Sequence, residues 1–186
     1  LAANTAYSVT VRDVYYCPDS ITVTLTEPSA ITLTTTPTDL TCNGAVPATG
    51  SALANGSGGA GGFSYLWDLA AANQGNANAT ALAAGVYSVT ATDINLCTAT
   101  ETVTISEPSA VTATMTDSVN VACFGGNNGS ATVTGSGGAG GTYTYLWSDG
   151  QTDAQATGLV ADFYSVVIAD SNNCTAIATV TITEPA

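Results

Sequence analysis

The strongest constraint on this chain is that it repeats itself. "YSVTVRDVYYCPDSITVTLTEPSA" begins at Tyr7, "YSVTATDINLCTATETVTISEPSA" at Tyr87 and "YSVVIADSNNCTAIATVTITEPA" at Tyr164, at offsets of 80 and 77 residues. Asp13, Asp93 and Asp170 fall in register, as do Cys17, Cys97 and Cys174, and then Glu27-Pro28, Glu107-Pro108 and Glu184-Pro185. A second block occurs twice, "GSALANGSGGAGGFSYLW" from Gly50 and "GSATVTGSGGAGGTYTYLW" from Gly129, preceded by Cys42 and Cys123 respectively. Self-similarity at a fixed spacing means that one supersecondary unit is being tiled. The blocks divide the chain into 1–28, the C-terminal remnant of an upstream repeat, and two complete repeats, 29–108 and 109–186. On this reading the chain is an excerpt from a longer array.

Within a repeat the periodicity is two. In "ITVTLT" Ile21, Val23 and Leu25 face one way and Thr22, Thr24 and Thr26 the other; "TVTIS" (Val103, Ile105) and "TVTIT" (Val180, Ile182) do the same. Strict alternation of β-branched and polar residues describes an antiparallel sheet with one wet face. Clusters of Gly, Asn and Asp punctuate the runs. For the last repeat this predicts strands near 110–116, 129–135, 142–148, 155–159, 163–169 and 176–183. The fold class is all-β: tandem immunoglobulin-like antiparallel β-sandwich repeats of about 80 residues, stacked end to end. Tyr65, Trp67, Tyr145 and Trp147 read as central-strand core aromatics, and Tyr87 and Tyr164 as tyrosines at a strand corner.

Each complete repeat holds one early and one late cysteine, which predicts the disulfides Cys42–Cys97 and Cys123–Cys174, with Cys17 bonded to an upstream cysteine outside the chain. Such a bond closes a loop of about 56 residues and stabilises by roughly 4 kcal/mol on the chain-entropy model. The four residues Glu-Pro-Ser-Ala at 27–30 and 107–110 are too short for a flexible tether, and proline restricts both itself and the residue before it. Successive repeats are expected to form a stiff rod.

Composition narrows the function classes. The chain has one cation, Arg12, against fourteen acids, no histidine and a formal charge of −13. Nothing can neutralise the phosphates of a nucleic acid, and an anionic membrane surface is disfavoured for the same reason. No apolar run is long enough to span a bilayer as a helix. Without His or Lys, and with its acids scattered, the chain has no nucleophile–base pair, so it reads as non-catalytic. Low charge and five widely spaced cysteines indicate an oxidising, extracellular setting.

The stretches "CFGGNNGSATVTGSGGAGGTYTYLWSDG" and "LVADFYSVVIADSNNCTAIATVTITEP" resemble the SprB repeat of Bacteroidetes surface proteins. The shared motifs are Cys-x-Gly, Gly-Gly before Tyr-x-Trp, Tyr-x-Val, Asp-x-x-x-Cys and Glu-Pro. The resemblance implies large exported adhesins or extracellular filaments, some serving gliding motility and cell adhesion, sent out by type IX secretion. The repeat at 29–108 departs from it: "CNGAVPATGS" replaces the Cys-x-Gly-Gly turn and "WDLAAANQGNANAT" is longer.

The functional expectation is thus a structural section of a secreted cell-surface adhesin or extracellular filament. Its partners are neighbouring repeats, laterally packed copies, or a strand-donating neighbour that completes 1–28 in trans. The alternative is a glycan- or surface-binding module. No cofactor is implied, with calcium the one candidate. For Asp13, Asp93 and Asp170, with Asn95 and Asn172, an Asx-capped turn is weighed against a calcium site. The "GSGGAGG" loops lack the lysine and helix of a phosphate loop and read as tightly bent strand connections. Ser20 and Ser118 lie in Asp-Ser-apolar triplets that match the Bacteroidetes O-glycan acceptor pattern.

Overall fold

The computed structural model describes residues 2–186. In chain order its strands are β1 (Ala6–Arg12), β2 (Pro18–Thr24), β3 (Thr32–Thr38), β4 (Gly50–Ser57), β5 (Ser64–Trp67), β6 (Asn78–Leu82), β7 (Gly85–Thr92) and β8 (Thr98–Ile105). They continue with β9 (Ser109–Val119), β10 (Gly129–Gly138), β11 (Thr144–Trp147), β12 (Gln155–Leu159), β13 (Asp162–Ala169) and β14 (Thr175–Ile182). One 3-10 turn, Leu69–Ala71, interrupts the β pattern where the sequence shows no helical stripe. The Asp68 side chain makes it locally, by accepting from the Ala71 amide at 3.1 Å.

The six strands β9–β14 form two antiparallel sheets, ordered β12-β10-β9 and β11-β13-β14. Lettering them A, B, C, E, F and G gives A-B-E on C-F-G, the immunoglobulin arrangement without its D strand. Strands β3–β8 repeat the same order, β3-β4-β6 and β5-β7-β8. Alternation decides which residues face inward: β13 buries Tyr164, Val166 and Ile168 and turns Phe163 outward. Trp147 fills the middle of this core at 2% exposure, and its indole N–H donates to the Asp153 carbonyl at 2.9 Å. A buried indole keeps its hydrogen bond this way, at the cost of fixing the 148–153 turn. Tyr164 donates to the Val160 carbonyl, closing the expected corner.

The chain divides into two compact units, and their ranges differ from the tiling expected from the repeat. Among the described residues one comprises 2–35, 54–77 and 88–102; the other comprises 36–53, 78–87 and 103–186. In the first, Trp67 and Val89 are fully buried, and the Trp67 indole donates to the Asn76 carbonyl. In the second, Leu82 and Ile105 are buried beside Gly50, where a Cβ would stand 2.8 Å from the Ile105 side chain. Tyr87 repeats the corner, donating to the Ala83 carbonyl at 2.9 Å. Tyr65 and Tyr145 are only half-buried, so the aromatic core is carried by the two tryptophans and the corner tyrosines.

Strands β1 and β2 pair only with each other. Tyr7, Val9 and Val11 share a face with their partners Val23 and Ile21. That face is open: Val9 is 60% exposed and Val11 65%, whereas their counterparts Val89, Ala91, Val166 and Ile168 are 0%. The hairpin nevertheless keeps the corner, with the Tyr7 hydroxyl donating to the Ala2 carbonyl at 3.1 Å.

Truncating Trp147→Ala should cost about 3–5 kcal/mol, the range for large aromatics removed from a close-packed core. Urea unfolding followed by far-UV circular dichroism measures it, and Leu146→Ala, on the exposed face of the same strand, should change little.

Candidate functional site

The site is a covalent joint inside the second compact unit. Its lower face comes from the loop that follows β3, its upper face from the β13–β14 turn. Cys42 and Cys174 are bonded, with Cα atoms 5.5 Å apart. The expected pairs Cys42–Cys97 and Cys123–Cys174 are therefore corrected: Cys97 and Cys123 are free and exposed, as is Cys17.

Strand direction explains the correction. The Glu184 carboxylate, just beyond β14, accepts from the Gly125 amide at 2.7 Å, so the turn carrying Cys123 sits at the end where the chain leaves the sandwich. Cys174 stands at the other end of β14, whose eight residues make about 26 Å of extended strand. A disulfide needs Cα atoms within about 7 Å. The early and late cysteines of the second sandwich lie at opposite ends, and Cys174 instead meets Cys42 of the preceding one.

Each half of the joint is held by short polar contacts. On the lower side the Glu107 carboxylate accepts from the Gly44 amide at 2.7 Å, and the Asn43 side chain donates to the Pro108 carbonyl at 3.2 Å. Asp39 accepts from the Ser106 amide at 2.7 Å. The Cys-x-Gly turn is thereby clamped to the Glu-Pro linker. Across the joint the Asn172 side chain donates to the Thr41 carbonyl at 3.1 Å. A cleft of about 330 Å³ remains, lined by Cys42, Asn43, Ala110, Val111, Asn173 and Cys174 among others.

On the upper side Asp170, 4% exposed, organises everything. One carboxylate oxygen accepts from the amides of Asn172 and Cys174, both at 2.9 Å, and the other from the Ala139 amide at 2.8 Å. Asp93 is arranged alike in the first unit, with Asn95, Cys97 and Ala60 amides at 2.9 Å each. Asp13 holds the β1–β2 turn through the Tyr15 and Cys17 amides. The amide of Ala60 is the largest influence holding Asp93 below the ordinary carboxylate range, and Ala139 does the same for Asp170; desolvation opposes both.

These carboxylates are spent on backbone amides, which is the Asx-turn arrangement. Among the described residues no three acidic or cysteine groups gather as a metal site would require. Asn95 and Asn172 enter through their backbone amides, and the Asn172 side chain serves the joint instead.

The glycine loops exist to let Asp reach them. Gly138 has φ +64, and a Cβ there would stand 2.3 Å from the Asp170 carboxylate. A Cβ on Gly137 would stand 2.0 Å from the Ala110 carbonyl. Gly58 and Gly59 meet the Ala30 carbonyl and Asp93 in the same way. Only glycine fits both the backbone conformation and the space. The acceptor candidates Ser20 and Ser118 are exposed on β2 and β9, with the Ser20 hydroxyl 2.8 Å from that of Thr10.

The fold and the joint define a class: immunoglobulin-like sandwich repeats linked covalently across a short linker. Residues 34–72 and 115–152 match the SprB repeat model. Each matched segment contains the early cysteine and the tryptophan strand and stops short of the hairpin that carries the late cysteine. No curated protein matches the chain. Among solved structures, one described as "Structural basis for Dscam isoform specificity" aligns at TM-score 0.34 and 11% identity, covering 97% of this chain and 54% of that one. "Sidekick-1 immunoglobulin domains 1-5" aligns at 0.33 and 12%, covering 97% and 45%. A titin Z1Z2 tandem chimera aligns at 0.29 and 14%, covering 82% and 92%. The chain thus spans about half the length of the Dscam and Sidekick-1 chains. The repeat family supports an adhesin-type repeat module of the cell surface.

Three outcomes follow from the joint. Cys42→Ser should destabilise the second unit by about 5 kcal/mol on the chain-entropy model, since the bond spans 132 residues; calorimetry with and without reductant reads this. Gly138→Ala should cost about 1–3 kcal/mol through strain at positive φ, measured by the same melt. Asp93 and Asp170 have folded pKa values below the unfolded value of about 3.9. Their contribution is therefore complete above that pH and lost as pH falls through the folded values. Melting temperatures should decline below about pH 4, and Asp170→Asn should flatten that decline.

Proposed function

We propose that this chain is a non-catalytic, load-bearing section of an exported surface adhesin or filament, in which disulfides stiffen the joints between repeats. The observation that carries this reading is the Cys42–Cys174 bond, reinforced by Asn172 to Thr41 and by Glu107 to Gly44. A bond across a four-residue linker removes hinge freedom at the place where tandem domains otherwise move. A force applied along the chain then passes through sulfur as well as through Glu-Pro-Ser-Ala.

Two further features favour a spacer. The threonines that alternate with the core residues leave a neutral outer surface. The net charge of −13 keeps an array soluble through self-repulsion. Export to an oxidising compartment is what the bond requires. The two tryptophans are committed to the core and so do not offer a stacking platform for sugars.

Small-angle scattering of the chain with the bond intact should give a narrow distribution of maximum dimension. Reduction or Cys174→Ser should broaden it while far-UV circular dichroism stays unchanged. A distribution indifferent to the bond would defeat the load-bearing reading. Specific retention on a glycan array would favour a binding module instead.

A further inference from the structure

The joint at Cys42–Cys174 has a half-built counterpart. In the first compact unit a cleft of about 460 Å³ is lined by Glu27, Pro28, Ala30, Ile31, Asp93 and Cys97, among others. Its lining matches the joint: Ala30 and Ile31 stand where Ala110 and Val111 do, Cys97 where Cys174 does, and Glu27-Pro28 where Glu107-Pro108 do. What the second unit has, and this cleft lacks, is a Cys-x-Gly turn like Cys42-Asn43-Gly44.

Two more observations in the same unit point to the same missing piece. Glu107 and Glu184 each accept from the glycine of a Cys-x-Gly turn, Gly44 and Gly125. Glu27 is their counterpart and lines the cleft. The β1–β2 hairpin corresponds to β13–β14 yet leaves Val9, Val11, Ile21 and Val23 at 50–65% exposure. Asp13 holds its turn as Asp170 does, and the glycine loop that supplies Ala139 to Asp170 belongs to the strands the hairpin lacks.

We infer that the hairpin face and the adjoining cleft together dock the front strands of another SprB repeat. In the second sandwich those strands are β9–β12, and residues 109–158 supply all but the end of β12. Docking sets a Cys-x-Gly turn on Glu27 and its cysteine against Cys97. The occupant covers the apolar face with an A-B-E sheet plus the tryptophan strand, and its glycine loop reaches Asp13. The Cys97 thiol and the incoming thiol lose two protons and two electrons to an external disulfide or thiol oxidant of the secretory compartment, forming one S–S bond. Repeats are then stitched each to the next, early cysteine to following late cysteine. The inference stands on the joint geometry and does not depend on what the array is for.

The test places a copy of residues 109–158 directly ahead of Leu1 in the full chain, so that its last glycine precedes Leu1 as Gly158 precedes Leu159. Disulfide mapping by mass spectrometry after oxidative refolding should find the copied cysteine bonded to Cys97. Amide exchange at Val9, Val11, Ile21 and Val23 should slow by at least tenfold relative to the unextended chain. A bond from the copied cysteine to Cys17, an unbonded Cys97, or unchanged exchange in a protein that retains Cys42–Cys174 would overturn the inference. If the extended chain loses Cys42–Cys174, the 109–158 polypeptide is instead mixed with the unextended chain under a glutathione redox buffer. A one-to-one adduct at Cys97 supports the inference, and its absence overturns it. In both formats Cys97→Ser should abolish the bond while the slowed exchange of the hairpin persists.

Discussion

A buried carboxylate, Asp170, sits at the base of the joint. Asp170 accepts three backbone amides, two from its own turn and one from the glycine loop. This shapes the β13–β14 turn so that Cys174 faces out of the end of the sandwich rather than along its side. Neutral acceptors would hold those amides less strongly, since hydrogen bonds to an ionised group are roughly twice as strong. The glycine pairs Gly58-Gly59 and Gly137-Gly138 follow from the same demand, because any side chain there would collide with the carboxylate or with the linker carbonyl. The most repetitive letters of the sequence thus serve one electrostatic contact.

From that contact the coupling between repeats follows. A sandwich whose first and last strands run the same way takes the chain in at one end and releases it at the other. The Glu-Pro linker then brings one exit into contact with the next entry. The exit carries a Cys-x-Gly turn held by glutamate, the entry carries a cysteine held by aspartate, and the bond forms where they meet. A single sandwich of this size has a small core and a narrow stability margin. Bonding Cys42 to Cys174 spends these two cysteines on the joint rather than on the interior of either sandwich.

Much was legible in the residues. Alternation in "TVTIT" marked β14, and "YTYLW" marked β11, although the strand is confined to Thr144–Trp147 because the glycine loop before it turns away. The buried tryptophans were readable from period two, and the corner tyrosines from the stretches "ALAAGVY" and "GLVADFY" that lead into a strand. The Asp-x-x-x-Cys spacing carried the Asx turn. The half-burial of Tyr65 and Tyr145 was not readable, because it depends on where the sheet edge falls.

Sequence by itself determined the all-β class, the repeat and the approximate strand positions, since these rest on side-chain alternation and on local hydrogen bonds. It did not determine the disulfide partner. Two cysteines in one repeat look like a pair when only their order is known, and their separation in space depends on the direction of every strand between them. Tertiary structure decided that Cys42 meets Cys174, because sulfur bonds across a few ångströms and the length of a strand is several times that.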